Sequence, residues 1–238
     1  MRIAIFSDIH GNRHALAAVL ADIDEQAPDR VYCLGDLVGY GAYPNEVIER
    51  VRDRGIPTIM GNYDDGVGFD KDECGCAYTD PEMRRLGDIS LMWTREAVAP
   101  ENKEYLRSLL PSIRFKEAGK EFLLVHGSPR KINEYVYENR PLANLERIAS
   151  SASADVLVFG HTHLPYVKEV AGVLLVNDGS VGKPKDGDAR AGYVILDVGD
   201  EVKVGFRRMA YDVAAAAEAV RASGLPAHFA ELLECACG

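Results

Sequence analysis

The stretch RIAIFSDIHGNRHALAAVLADIDEQAPDRVYCLGD, residues 2–36, decides the fold class. Its first segment, RIAIFSD (2–8), is a short apolar run that ends at Asp8. The next, NRHALAAVLADIDEQ (12–26), spaces Leu16, Val19, Leu20 and Ile23 for one face of a helix. The last, DRVYCLGD (29–36), is a second β-like run and ends at Asp36. Strand, helix and strand in that order predict a βαβ unit with parallel pairing, hence an α/β protein.

The alternation continues outward. NEVIERVRDRG (45–55) reads as a helix, with Asn45 as N-cap and Gly55 as its stop. IPTIMGN (56–62) reads as a third strand, ending at Asn62. Residues 64–118 break the pattern with charges and two helical stretches, near 81–98 and 101–110, and read as a helical insertion. Strand signals return at KEFLLVHG (120–127), ADVLVFGH (154–161), GVLLVNDGS (172–180), AGYVILDV (191–198) and EVKVGFRRM (201–209). Their short glycine-containing links predict antiparallel pairing for some of them. A helical tail follows over 211–238, with Asp212 at its start and Gly224 and Pro226 past the end of its first helix. No repeat or linker divides the chain, so the 238 residues read as a single domain.

Composition excludes several function classes. The apolar share of 47% is that of a globular protein, and no run is long enough to span a membrane. The short opening run is interrupted by Asp8, which makes a secretory signal a poor fit and a cytoplasmic location the default. A net charge of −10 argues against non-specific binding to nucleic acid or to an anionic membrane. It also means that an anionic substrate needs a local positive centre, which bound metal ions can supply. Of five cysteines, Cys33 sits in an apolar run, and the others form two C-x-C pairs, Cys74/Cys76 and Cys235/Cys237. That spacing is too tight for a usual zinc site. The simplest reading is free thiols, against a competing one in which a cross-link or zinc ties down the C-terminus.

The chemistry gathers at the strand ends. Asp8 and His10 follow the first strand, Asp36 the second and Asn62 the third, while His126 follows the fourth and His161 and His163 the fifth. Taken singly, each is a helix cap, a core histidine or a polar turn. Taken together, they place seven nitrogen and oxygen donors along the one edge of an α/β sheet where ligands bind. Such donors suit manganese above all, with iron, zinc, nickel or cobalt as alternatives. Seven are too many for one open catalytic ion but enough for two divalent ions that clamp the oxygens of a displacement.

These residues lie in five motifs: D-x-H (Asp8, His10), G-D (Gly35, Asp36), G-N-x-D (Gly61, Asn62, Asp64), V-H-G (His126) and G-H-T-H (His161, His163). Their order and spacing resemble the calcineurin-like metallophosphoesterase superfamily over residues 1–163. NDGSVGKPKDGDARAGYVILD looks more loosely like a segment of its bacterial phosphodiesterase or diadenosine-tetraphosphatase-like branch. The resemblance implies a four-layer α-β-β-α sandwich of two mixed β-sheets flanked by helices. It implies that Asp8, His10 and His163 hold one metal, that Asn62, His126 and His161 hold the other, and that Asp36 bridges them. A metal-bridging hydroxide would then attack the phosphorus of a small phosphorylated substrate, a phosphodiester or nucleotide. A protein phosphatase, or a non-catalytic scaffold of the same fold, is the alternative.

In one place the chain departs from the family pattern. The third motif usually carries a histidine, oriented by the acid after it, as proton donor to the leaving group. Here Tyr63 stands there, followed by Asp64. With an ordinary pKa of about 10, a phenol is a poorly matched acid at neutral pH, so Tyr63 with Asp64 would serve good leaving groups best. Asp178 also stands where the branch has proline. For substrate contact the sequence offers Arg130 and Lys131 beside Tyr135 and Tyr137, and Asn12, which doubles as a helix cap.

Overall fold

Residues 1–237 are described by a computed structural model. Two sheets form its centre. In the first, the order is β2 (Arg30–Cys33), β1 (Arg2–Phe6), β8 (Ala191–Val198), β9 (Val202–Met209), with β1 and β2 parallel. In the second, the order is β3 (Ser112–Glu117), β4 (Lys120–Val125), β5 (Val156–Phe159), β7 (Val173–Asn177), β6 (Tyr166–Val170), with β4, β5 and β7 parallel.

The period of two along each strand sorts side chains into layers. Ile3 and Ile5 of β1 meet Phe122 and Leu124 of β4 and Val156 and Val158 of β5, and these form the core between the sheets. Ala4 and Phe6 point the other way. They pack on Leu16, Val19, Leu20 and Ile23 of α1 (Arg13–Gln26) and on Val47, Ile48 and Val51 of α2 (Pro44–Asp53). Behind the second sheet, Leu123, Leu157 and Phe159 bury Leu145, Ile148 and Ala149 of α6 (Leu142–Ala152). The result is a four-layer α-β-β-α sandwich.

The remaining helices gather over one side of the molecule. They are α3 (Asn62–Gly68), α4 (Pro81–Ala97), α5 (Pro100–Ser108), α7 (Val213–Ala222) and α8 (His228–Cys235). Leu86 of α4 joins Val220, Phe229 and Leu233 in a small core, and Trp93 Nε1 donates to Ser223 O at 3.0 Å. No described helix is long and apolar enough to cross a membrane.

Several local expectations change. Residues 56–62 form no strand but two isolated bridges, Cys33↔Thr58 and Ile59↔Leu110. Pro57 lacks the N–H that a ladder needs, and Asn62 opens α3 instead. Asn45 is not the cap of α2, which starts one residue earlier at Pro44. Its Oδ1 accepts from Ala99 N and Asn102 Nδ2, tying α2 to α5. Strands β3 and β6 and helices α3 and α6 are additional elements, β3 falls inside the stretch 64–118, and the expected helical tail divides into α7 and α8. Cys235 and Cys237 are not free thiols but are joined in a disulfide, whereas Cys33, Cys74 and Cys76 are free.

Candidate metal centre

Parallel pairing aligns the C-terminal ends of β1 and β2 in one sheet and of β4 and β5 in the other. The sheets meet at that edge. His126 Nδ1 donates to Leu34 O at 2.8 Å, and His161 N donates to Asp8 Oδ2 at 2.9 Å. All seven donors named by the sequence come together there, each at most 4% exposed. Asp8, His10 and His163 form one group and Asp36, His126 and His161 another, and within each group the ligand atoms all lie within 4.8 Å of one another. Asp36 Oδ2 lies between them, 3.4 Å from His126 Nε2 and 3.7 Å from His10 Nε2. Asn62 Oδ1 adds to the second group at 3.1 Å from His126 Nε2.

The surrounding backbone fixes how these groups are presented. Nδ1 of His10, His126 and His163 is held by the carbonyls of Val38, Leu34 and Lys183 at 2.9, 2.8 and 2.5 Å. A carbonyl can only accept, so each Nδ1 carries a proton and each Nε2 is the atom turned to the site, offering a lone pair wherever the ring is neutral. His10 Nε2 and His163 Nε2 then stand 3.2 Å apart. Two lone pairs that close repel unless a cation lies between them. Asp8 Oδ1 and His161 Nε2 are buried with no hydrogen-bond partner. Orphaned acceptors, facing lone pairs and a nitrogen–oxygen donor set all fit a metal ion.

Electrostatics point the same way. Burial opposes the charge on Asp8, yet His163 and His10 hold its carboxyl well below the usual range. Asp36 is likewise lowered against burial, chiefly by His126. Burial disfavours the His126 cation too, but the Asp36 carboxylate overcomes it and lifts the imidazole to about 10. His161 is pushed down to about 3 by burial and then by the His126 charge, and His163 to about 3 by burial and then Lys185.

Asp64 and Tyr63, the expected proton donors, both hold the backbone or side chain of Asp36. Asp64 is fully buried, and both its oxygens accept from backbone: Asp36 N at 2.8 Å, Leu37 N at 2.9 Å and Gly61 N at 3.0 Å. It braces the loop that aims Asp36. Burial and the Asp36 charge raise its carboxyl to about 7. Tyr63 N donates to Asp36 Oδ1 at 2.9 Å. Its ring stands edge-on to His10, and its hydroxyl lies 3.4 Å from that of Tyr78. Burial pushes this phenol well above its usual value. Gly61 is required between them, because a Cβ there would sit 2.1 Å from Asp36 Oδ1.

Of the three residues expected to touch substrate, Asn12 and Arg130 have side chains bonded within the protein. Asn12 Oδ1 accepts from Ala15 N to cap α1, and its Nδ2 donates to Gly182 O and Tyr211 Oη. Arg130 is exposed and paired through two nitrogens with Glu134, which also takes Arg140 and Ser128. Lys131 is exposed, and its carbonyl closes a turn with Ser128 N.

Other side chains crowd the site: Tyr135, Tyr137, Cys76 and Asp178, noted in the sequence without a place at the centre, and Lys183, Lys185 and Ser7, which the sequence did not single out. Lys183, 5% exposed, places Nζ over the Tyr40 ring at 5.0 Å, and Lys185 is a charged neighbour of both His161 and His163. Tyr135 lies on the His161 ring at 4.0 Å and stacks on the more exposed Tyr137 at 5.7 Å. Ser7 Oγ bridges Asp8 Oδ2 at 2.5 Å and Asp178 Oδ1 at 2.8 Å. Burial and the Asp8 charge raise the Asp178 carboxyl far above its usual range. Ser7 has a single hydroxyl proton, so it can donate to only one of these two carboxylates at a time. Cys76 Sγ accepts from Asn62 Nδ2 at 3.3 Å. Lys183, Lys185 and Ser7 have no ligand-like spacing of their own, since only the folded loops bring them near.

With this geometry in hand, the chain can be compared with known proteins. Residues 1–201 match the family model of the calcineurin-like phosphoesterase superfamily domain. The protein MJ0912 of Methanocaldococcus jannaschii is 34% identical, over 97% of this chain and 96% of its own. The phosphodiesterase YfcE of Escherichia coli is 25% identical, over 83% of this chain and 88% of its own. A solved metallophosphoesterase of Sphaerobacter thermophilus is 31% identical, covers 99% of both chains and superposes with a TM-score of 0.78. The chain belongs to the calcineurin-like phosphoesterase superfamily.

Proposed function

We propose that this member of the calcineurin-like phosphoesterase superfamily is a dinuclear metal-dependent hydrolase of small phosphate esters, of the phosphodiester or nucleotide type. The observation that carries the reading is the pair of donor groups with Asp36 Oδ2 between them. Asp8, His10 and His163 would hold one ion, Asn62, His126 and His161 the other, and Asp36 would bridge. When bound, two divalent ions supply Lewis acidity that activates water at neutral pH and offsets phosphate charge in a protein of net charge −10. The nitrogen–oxygen donor set favours manganese over softer ions.

The protein's own residues do the rest. Asp64 and Tyr63 N hold Asp36 in aim, and the Tyr63 ring walls the pocket. Lys183 and Lys185 stand beside the donor groups. Burial and Lys185 hold the Lys183 ammonium well below its usual pKa, and burial lowers Lys185, so an arriving phosphoryl anion would favour their charged forms. Arg130 and Lys131 line the cleft on the His126 side. The Tyr135–Tyr137 stack runs from His161 towards solvent and offers an aromatic platform for an aryl or nucleobase leaving group. Burial of every donor favours a small substrate over a folded phosphoprotein, and a scaffold has no need of a full donor set. We take the chain as one domain and place it in the cytoplasm by default, since its opening run fits a secretory signal poorly.

Hydrolysis of bis-p-nitrophenyl phosphate by metal-loaded protein tests the reading. Asp36→Asn should lose at least about 100-fold in kcat, since it removes the shared carboxylate. Absence of any metal-dependent rate in the unaltered protein would overturn it.

A further inference from the structure

The two C-x-C pairs are in different states. Cys235 and Cys237 are bonded, while Cys74 and Cys76 are thiols whose Sγ atoms lie 3.0 Å apart. The residue between each pair has the same left-handed backbone, with φ of 50° at Ala236 and 71° at Gly75. This turn brings side chains i and i+2 together in both places. The Cys74–Cys76 turn is also pinned from outside. Asn133 Nδ2 donates to Gly75 O at 2.8 Å, and a Cβ on Gly75 would meet that nitrogen at 2.3 Å.

The dithiol touches the candidate metal centre through one side chain. Asn62 Nδ2 donates to Cys74 O at 3.0 Å and to Cys76 Sγ at 3.3 Å. Those two acceptors fix which way the Asn62 amide faces, and so turn its Oδ1 towards His126 Nε2. Both cysteines are half-buried and within reach of a small reagent.

We propose that Cys74 and Cys76 form a reversible disulfide that loosens the second metal position by releasing Asn62. The proposal rests on Asn62 serving as a ligand. The oxidant is a small-molecule disulfide, R–S–S–R. The Cys76 thiolate attacks one of its sulfurs and expels RS⁻, leaving Cys76–S–S–R. Cys74 then gives its proton to solvent and attacks the Cys76 sulfur, expelling the second RS⁻. Two protein thiols are oxidised to one disulfide, and one R–S–S–R is reduced to two thiols. The sulfurs must close from 3.0 Å to a bond of about 2.05 Å. That shift draws Cys76 Sγ from the Asn62 amide, at a bond already 3.3 Å long.

The test uses the full chain, oxidised with graded ratios of oxidised to reduced glutathione and then alkylated. Residues 72–84, released by trypsin, hold both thiols and no other cysteine. The expected result is loss of two hydrogens from this peptide, with Cys33 still alkylated. Manganese binding at one of two positions should weaken about tenfold, the scale seen when a ligand loses its supporting hydrogen bond. Reductant should reverse both changes, and Cys74→Ser and Cys76→Ser should show neither. Failure to form the bond, or a bond with unchanged manganese binding, overturns the inference and leaves the proposed function standing. Reduced protein that binds manganese without hydrolysing overturns the function and not the inference. Reduced protein that binds no manganese overturns both.

Discussion

Replacing Asp64 with alanine separates a brace from a proton donor. Three backbone N–H groups, of Asp36, Leu37 and Gly61, would lose their only recorded acceptor in a fully buried setting. Each orphaned donor costs about 1–3 kcal/mol. Part is regained, because the variant no longer buries a carboxylate that burial and Asp36 have lifted to about 7. A net loss of about 3 kcal/mol lowers the unfolding midpoint by roughly 6–12 °C in a chain of this size. Because the folded pKa is raised above the unfolded one, the group's contribution to stability is full below about pH 4 and is lost as pH rises to about 7. Between pH 5 and 8 that loss is about 2–3 kcal/mol. Asp64→Asn, which cannot ionise, should thus fall further below the unaltered protein at pH 5 than at pH 8. The assay is thermal unfolding in chelator at both pH values, beside kcat on aryl and alkyl phosphodiesters. A brace predicts a lower midpoint and equal kcat losses on both substrates. An unchanged midpoint, with kcat lost mainly on the poor leaving group, would refute the reasoning.

Three further outcomes follow from the geometry. Tyr63→Phe keeps the ring against His10 and the backbone bond to Asp36, so kcat on aryl diesters should change less than about threefold, and a loss near 100-fold would restore the phenol as general acid. With its pKa raised to about 10, His126 is protonated in metal-free protein at neutral pH, whereas His161 and His163, near 3, are neutral. Metal uptake should therefore release about one proton from His126, with affinity rising up to about tenfold per pH unit below 10; calorimetry in buffers of differing ionisation enthalpy counts that proton. Lys183→Ala, which keeps the carbonyl that holds His163, should raise KM for a phosphodiester about tenfold and leave manganese binding unchanged, whereas a loss of manganese binding would make its side chain a support of the metal centre.

How far the sequence could be read depended on where the physics was local. Strands β1 and β2 and helix α1 announce themselves because burial imposes periods of 2 and 3.6 on short, contiguous segments. The hairpins β3–β4 and β6–β7 do not. Each turns through Ala-Gly, Ala118–Gly119 and Ala171–Gly172, with both residues at positive φ. Alanine is a poor marker for such a turn, which usually carries Asn or Asp before Gly. Candidate ligands were legible because chemistry narrows the choice to Asp, His and Asn at strand ends. Their supporting residues were not. The pairing of Arg130 with Glu134 was not legible, and nothing in KPK foretold that Lys183 would pack over Tyr40.

The strain at the centre explains why its position is so closely specified. Of the seven candidate ligands, Asp8, His10, Asp36, His161 and His163 all have φ between 49° and 65°. Asp and His visit that region more readily than most residues, but each still costs about 1 kcal/mol or more. Five such residues cost about 5 kcal/mol, a large part of what a domain has to spare. Backbone bonds across the edge hold the conformation in place: Asp8 N to Gly35 O, His10 N to Asp36 O, Gly160 N to His126 O and Gly182 N to Asp8 O, all 2.9–3.0 Å. They run between loops that follow different strands, so no loop can relax without breaking bonds to its neighbours. The same bends that strain the chain turn His161 and His163, two residues apart, into different donor groups. On extended backbone their side chains would point the same way. The left-handed turns are therefore what lets one short segment serve two donor groups.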